Sequence, residues 1–103
     1  MELEGQLVCR DAAEVALIEE LLPTHIEQTR AEAGCLAFDV APTGDPLVWR
    51  VSEQFSSAES FQAHQKRVAA SEWGQATSAI ERRYTVAGLD EVSSLDEAAG
   101  PNA

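Results

Sequence analysis

Glu53 and His64 are the two side chains of this 103-residue chain whose types and positions point to chemistry. Glu53 falls on a strand face that is otherwise apolar, made of Leu47, Trp49, Val51 and Phe55. A carboxylate on such a face is costly unless it is paired or hydrogen-bonded. Either it reaches water or an arginine near the strand end, or it is a cavity carboxylate with a raised pKa. In the second case it could act as a base or orient a histidine.

His64 lies on the apolar face of a predicted helix, together with Phe61, Gln65 and Val68. At a rise of about 3.3 Å per strand residue and about 1.5 Å per helix residue, Glu53 and His64 fall at similar depths between sheet and helix. A carboxylate that holds a histidine in one tautomer is a general-base arrangement, so we predict a catalytic pair. The alternative is a structural histidine, satisfied by a backbone or side-chain acceptor.

The other site candidates are aromatic side chains and a second histidine. The aromatic residues expected to form core, or to line a pocket for a flat aromatic ligand, are Phe38, Trp49, Phe55, Phe61 and Trp73. Tyr84 is expected to supply a hydroxyl to that pocket or to help a dimer interface. His25 is expected near the bottom of the layer, closer to Trp49 than to Glu53, and partly exposed beside Pro23.

Hydrophobic periodicity predicts the elements that position these residues, in the order strand, helix, strand, strand, helix, strand. The predicted strands cover residues 3–10, 35–41, 47–55 and 81–87, with a hairpin turn at 42–46. The first helix begins after Asp11, is kinked or split at Pro23 and ends near Gly34. A second helix begins after Ser56 or Ser57, and a short one after Ser71 extends to Ile80.

This order predicts the ferredoxin-like α+β fold βαββαβ, a four-stranded antiparallel sheet with its helices on one face. Strands 1 and 2 are then parallel, with strand 3 between them. Because large uncovered faces mark interfaces, we predict a homodimer through the open sheet face. Arg50 falls on that face and needs a partner such as Asp39 or a carboxylate of the second chain.

Domain organisation is simple, because the chain is long enough for one modest core. We expect a folded domain over residues 1–87 and an acidic tail over residues 88–103 that has little to bury. Cys9 and Cys35 fall at opposite ends of strands that are not neighbours, so this topology excludes a disulfide between them. Both are predicted to be reduced structural thiols.

Composition disfavours several kinds of partner. Eighteen acidic and seven basic side chains give a net charge of −11, which repels nucleic acid and anionic membranes. No apolar run approaches the roughly 18–20 residues of a membrane span, and Met1-Glu2-Leu3-Glu4 is unlike a signal peptide, so a cytoplasmic location is expected. The sequence has no phosphate-binding loop, nucleophile elbow or metal-spaced cluster, so we predict no cofactor and no metal.

Four short motifs, in order, resemble the antibiotic biosynthesis monooxygenase (ABM) domain family. Residues 30–36, Arg-Ala-Glu-Ala-Gly-Cys-Leu, resemble its R-x-E-P-G-C-L signature. Asp45-Pro46 stands at its hairpin, Glu53-Gln54-Phe55 resembles its E-x-[WF] strand end, and Phe61 to His64 resemble its helix motif ending in histidine. The resemblance covers residues 3–87 and implies a dimeric α+β barrel in which two sheets pack face to face.

The resemblance implies an oxidation without a cofactor, in which a deprotonated substrate passes an electron to dioxygen. His64, with Glu53 behind it, would be the base. Two departures matter: Glu72 occupies the place of a second histidine that the family often has, and Ala33 replaces the proline of the signature. Strand 1 also lacks the asparagine of the haem-degrading branch, which disfavours that activity.

Three functions therefore compete. The first is a monooxygenase acting on a quinol or polycyclic phenol, which the aromatic residues favour. The second is a dimeric protein that binds a small apolar ligand without catalysis, which the missing second histidine favours. The third is an isomerase or signal-molecule-processing enzyme of the same family, in which the histidine shuttles a proton.

Overall fold

The computed structural model describes residues 1–87. Its strands are β1 (Glu2–Val8), β2 (Cys35–Pro42), β3 (Val48–Phe55) and β4 (Glu81–Ala87), and its helices are α1 (Ala12–Arg30), α2 (Ala58–Ala70) and α3 (Glu72–Ala76). The predicted tail at 88–103 lies outside the described residues. Within the described part of the chain, no helix is both long enough and apolar enough to span a bilayer.

The four strands form one sheet in the order β2-β3-β1-β4, and every neighbouring pair is antiparallel. β3 lies between β1 and β2, as the crossover rule predicts. Leu3 is paired with Glu53 on β3 and with Val86 on β4, which fixes the register near the candidate site. The ferredoxin-like α+β fold is thus confirmed.

Helix α1 begins after Asp11, as the sequence predicts. It is not split at Pro23, and it ends earlier than predicted. The Asp11 carboxylate accepts a hydrogen bond from the Glu14 amide over 3.1 Å, a standard N-cap. α1 runs without interruption through Pro23, which is exposed, so the carbonyl that loses its hydrogen bond lies on the solvent side. The helix ends at Arg30 with Ala31 as its C-cap, not near Gly34.

Serine side chains cap the starts of both helices in the second half of the chain. Ser57 caps α2, and it forms a reciprocal capping box with Ser60. Ser71 caps α3, which ends at Ala76 and so is shorter than predicted. Gly34 packs against this start of α2: its carbonyl accepts a 2.8 Å hydrogen bond from the Ser56 amide, and a Cβ at Gly34 would overlap Ser60.

The two faces of the sheet differ sharply in polarity. The face toward the helices carries the core, whose buried apolar residues include Leu3, Leu7, Phe38, Val40, Trp49, Val51 and Phe55 from the sheet and Ile18, Leu22, Phe61, Val68 and Trp73 from the helices. The open face is polar, and cross-strand hydrogen bonds join Ser52 to Glu4 and Gln54 to Glu2. Asp39 lies 3.9 Å from Arg30. The pairing of Arg50 with Asp39 or with a carboxylate of a second chain stays a prediction.

Candidate functional site

Glu53 lies in the middle of the core face of β3, and its side chain is completely buried. None of the described residues donates a hydrogen bond to either of its carboxylate oxygens. Burial disfavours the charged form, and the nearby Glu32 carboxylate adds to this, so the pKa of Glu53 is raised to about 8. Arg82 opposes the shift. Glu53 is therefore a neutral acid at pH 7, and it reaches neither water nor a surface arginine.

His64 projects from α2 into the same layer and is also completely buried. Its Nδ1 atom lies 2.7 Å from Oε1 of Glu32, whereas its Nε2 atom lies 3.8 Å from Oε1 of Glu53. The first distance is a hydrogen bond and the second is too long for one. Because a carboxylate accepts the bond at Nδ1, the neutral imidazole carries its proton there and leaves Nε2 as an acceptor facing Glu53.

The charge balance keeps this imidazole neutral. Burial lowers the pKa of His64, while Glu32 opposes the shift and Arg67 adds to it. At pH 7 the layer thus holds a neutral base and a neutral acid side by side, a pair whose environments push their pKa values in opposite directions.

Glu32 lies in the turn between α1 and β2 and is held by α2. Arg67 donates from Nε to Oε2 of Glu32 over 2.8 Å, and its other nitrogens bond to Gln28 and Thr29 at the end of α1. The Glu32 side chain is 19% exposed and that of Arg67 is 31% exposed. Glu32 therefore joins the buried imidazole to the protein surface.

The sequence analysis assigned the orienting carboxylate to Glu53, but the structure places Glu32 in that position. Glu32 and Arg67 were both missed as site residues. Glu32 follows the helix end, where no periodicity marks a side chain as inward. Arg67 offered one signal, because it lies three residues after His64 and so shares a helix face with it.

Three of the aromatic residues predicted as core or pocket lining, Phe38, Phe55 and Phe61, lie around the imidazole of His64. The ring centre of His64 lies 4.9 Å from that of Phe55, 6.1 Å from that of Phe38 and 6.5 Å from that of Phe61. These three rings come from β3, β2 and α2. They give the acid–base pair a low-dielectric environment that strengthens electrostatic interactions with any bound polar group.

The structure corrects the predicted position and exposure of His25. It is 1% exposed, stacks on Trp73 with ring centres 4.6 Å apart, and lies 6.3 Å from the ring of His64. It also meets Phe38 edge-on at 5.3 Å, and Phe38 is the register partner of Glu53. His25 is thus a fully buried member of the aromatic surroundings of His64, not a partly exposed residue near Trp49.

Tyr84 and Trp49 occupy different parts of the layer. Tyr84 is paired with Gly5 on β1, and the missing Cβ of Gly5 leaves room for its ring. Burial raises the pKa of the Tyr84 hydroxyl, the nearby Arg82 opposes the shift through its charge and a side-chain hydrogen bond, and Glu53 adds to the shift. Trp49 lies four residues from Glu53 along β3, about 13 Å away at the usual rise per residue.

A surface hollow of about 280 Å³ lies at one end of the sheet, and Phe55, whose ring lies beside that of His64, contributes to its lining. It is lined by Met1, Glu2, Leu36, Gln54, Phe55 and Ala87. Among residues 1–87, no group of three or more histidine, cysteine, aspartate or glutamate side chains is arranged to hold a metal ion.

Comparison with known families assigns the chain. The model of the antibiotic biosynthesis monooxygenase family matches residues 10–76, well over half of the sequence. The chain therefore belongs to the ABM family. No curated protein is similar enough in sequence to count as a match.

Solved structures share the fold over most of their length. A candidate antibiotic biosynthesis monooxygenase from Nitrosomonas europaea is 18% identical, with 87% of this chain and 99% of that one covered and a TM-score of 0.72. A conserved protein of unknown function from Bacteroides thetaiotaomicron is 17% identical, covering 82% and 90%, with a TM-score of 0.70. A candidate ABM protein from Deinococcus radiodurans is 20% identical, covering 86% and 94%, with a TM-score of 0.61.

Proposed function

We propose that this chain is a monooxygenase that oxidises a quinol or polycyclic phenol with dioxygen and needs no cofactor. The observation that supports this most is that Oε1 of Glu53 and Nε2 of His64 face each other at 3.8 Å. Both side chains are buried, and neither of these two atoms has a hydrogen-bond partner. One oxygen atom can lie about 2.7 Å from each of them, at an angle of about 90°. Buried polar atoms left unpaired in this way indicate a place for a polar group of a ligand.

A phenolic oxygen in that position accounts for the chemistry. His64 Nε2 takes the phenol proton, and the phenolate passes an electron to dioxygen. The substrate radical and superoxide then join at a ring carbon that bears a hydrogen, giving a peroxide. Glu53, which holds a proton at pH 7 because its pKa is about 8, protonates the peroxide. Loss of water leaves a ring carbonyl, so phenol and dioxygen become quinone and water, and His64 and Glu53 return to their resting protonation states with no net proton released.

The surroundings of the pair agree with an aromatic substrate. Phe38, Phe55 and Phe61 present apolar ring surfaces around His64. Tyr84 has a buried hydroxyl whose pKa is influenced by Glu53, and we assign that hydroxyl to binding a second substrate oxygen. Because the pair is fully buried, the substrate must displace some of these aromatic side chains as it binds.

The substitution His64→Asn is expected to reduce oxygen uptake at least a hundredfold, the scale of a lost general base. The amide of the introduced asparagine can still donate a hydrogen bond to Glu32, so the fold should survive. The measurement is oxygen consumption with a panel of quinols and polycyclic phenols, accompanied by thermal unfolding of each variant.

The matched control is Gln62→Ala, an exposed change on the same helix, which should leave uptake unchanged. Wild-type uptake in H64N would reject His64 as the base. Tight binding of an aromatic compound to the wild type without any oxygen uptake would overturn the enzyme proposal and identify a ligand-binding protein instead.

We also propose that two chains pair through the open sheet face. Light scattering is then expected to give about 22 kDa, twice the 11.1 kDa of one chain. Ser52 lies at the centre of that face, between Glu4 and Asp39 in the register. Ser52→Arg should weaken the dimer about a hundredfold, because a side chain so much larger than serine at the centre of a packed interface forces the two faces apart.

Gln62→Arg serves as the matched control, since it adds the same charge on the exposed side of α2. This variant should remain a dimer. A wild-type chain that stays monomeric at the highest concentration measured would contradict the pairing, as would a dimer that S52R leaves intact.

A further inference from the structure

We propose that Glu32 is a positioning residue for His64 and the outer end of a proton path that links the buried acid–base pair to solvent, with Arg67 holding Glu32 in place. This inference rests on the proposed function, because it assigns the route by which the base of that reaction is reset.

The path follows from three successive contacts. Glu53 faces Nε2 of His64 at 3.8 Å, Nδ1 of His64 lies 2.7 Å from Oε1 of Glu32, and Oε2 of Glu32 accepts from Arg67 at 2.8 Å. The exposed fraction of the carboxyl side chains rises from 0% at Glu53 to 19% at Glu32. A proton taken up at Nε2 can therefore leave from Nδ1 to Glu32, and from there to water.

The proton balance of the path is closed. When Nε2 gains the substrate proton, the imidazole becomes a cation next to the Glu32 carboxylate, which stabilises it. Release of the Nδ1 proton through Glu32 to water returns a neutral ring with its remaining proton on Nε2. The Glu53 carboxylate, which gave its proton to the peroxide, then takes the Nε2 proton, and one proton returns from water through Glu32 to Nδ1, so no net proton is released.

Arg67 gives the path its geometry. Its guanidinium bonds to Thr29 and Gln28 at the end of α1 and to Glu32 in the following turn, so two segments are fixed relative to α2. The orienting carboxylate is thus locked by a partner outside the reacting pair, as is typical of supporting contacts around catalytic groups. The charged or titratable groups that face His64 are Glu32, Glu53, Arg67 and His25.

The test follows the imidazole directly by ¹⁵N NMR of the full-length chain, from about pH 4 to about pH 9, where histidine and raised carboxyl groups titrate. In the wild type, His64 should be a single neutral tautomer with its proton on Nδ1. Glu32→Gln removes the charge that favours imidazolium, so the pKa of His64 should fall. Arg67→Met removes the opposing charge, so the pKa should rise.

Opposite shifts from E32Q and R67M are the signature of a charged positioning pair, and loss of packing alone would not produce them. Glu27→Gln is the matched control, an exposed carboxylate of α1 whose neutralisation should leave His64 unchanged. In oxygen uptake, E32Q should lower kcat about tenfold with little change in KM, the scale of a lost supporting contact beside a catalytic group.

The outcomes separate this inference from the proposed reaction. An active wild type whose E32Q variant keeps the tautomer, the His64 pKa and kcat would overturn the path while the reaction stands. A wild type with the Nε2–H tautomer would also overturn it. If no phenol supports oxygen uptake, the reaction fails, and the opposite pKa shifts alone then decide whether Glu32 and Arg67 position His64.

Discussion

Replacing Gly34 with alanine is expected to lower the free energy of unfolding by about 3 kcal/mol, the upper range for forcing a methyl group into a packed site. The added Cβ would overlap Cβ and Oγ of Ser60. Ser60 cannot easily move away, because its hydroxyl and amide form the capping box of α2 with Ser57. The helix start must therefore shift, and His64 shifts with it.

Chemical denaturation at one protein concentration measures this effect. Gly44→Ala is the matched control, since nothing lies within 4 Å of a Cβ at that position and the stability should be nearly unchanged. Ser60→Gly removes the group that is overlapped, at the cost of part of the cap, about 1 kcal/mol. In the S60G background, Gly34→Ala should then cost much less, so the two changes are strongly coupled. Additive losses would show that the overlap is not the cause.

The free energy of unfolding of the wild type is expected to fall by about 2 kcal/mol between pH 6.5 and pH 8, and Glu53→Gln is expected to abolish this fall. The pKa of Glu53 is raised from 4.5 to about 8 on folding. Over that interval the folded chain holds a proton that the unfolded chain has released, so each rise in pH favours unfolding. Glutamine has the size and neutrality of the protonated acid but does not titrate.

His64 gives the profile its shape below pH 6.5. Its pKa is lowered on folding, so as the pH falls below 6.5 the unfolded chain gains a proton before the folded one does, and stability drops. Below pH 6.5, down to the lowered pKa of folded His64, the two groups have opposite slopes, so the wild-type curve should change less there than between pH 6.5 and pH 8. The E53Q curve should instead rise and then level off.

Denaturant titrations at closely spaced pH values provide the measurement. Glu20→Gln, an exposed change on α1, should reproduce the wild-type profile. A wild-type curve that stays level up to pH 8, or an E53Q curve that keeps the fall, would mean that Glu53 is charged in the folded protein.

The order of elements and the inward face of β3 could both be predicted from sequence because they depend on local signals. Alternation along residues 47–55 placed Glu53 among apolar neighbours, and it is fully buried there. Ser57 and Ser71 marked helix starts through the side-chain chemistry of N-caps. Such signals lie within a few residues of the feature they predict.

The contacts of the site depended on long-range packing, which short patterns do not encode. Glu32 meets His64 across 32 residues of sequence, and no periodicity marks a side chain in a turn as inward. His25 was misplaced for a different reason. Depth was estimated from helical rise, whereas Ile18, Leu22, His25 and Thr29 share the spacing of a single buried stripe.

The turn between α1 and β2 must have a fixed number of residues, as well as a glutamate at position 32, if it is to hold the carboxylate against His64. Its backbone is closed by hydrogen bonds from Glu32 to Thr29 and from Cys35 to Glu32, both 3.1 Å long. One inserted residue would leave both flanking elements intact but swing the Glu32 carboxylate away from the imidazole. In comparing or redesigning chains of this fold, the spacing from the end of the first helix to the second strand should therefore decide whether the histidine is still oriented.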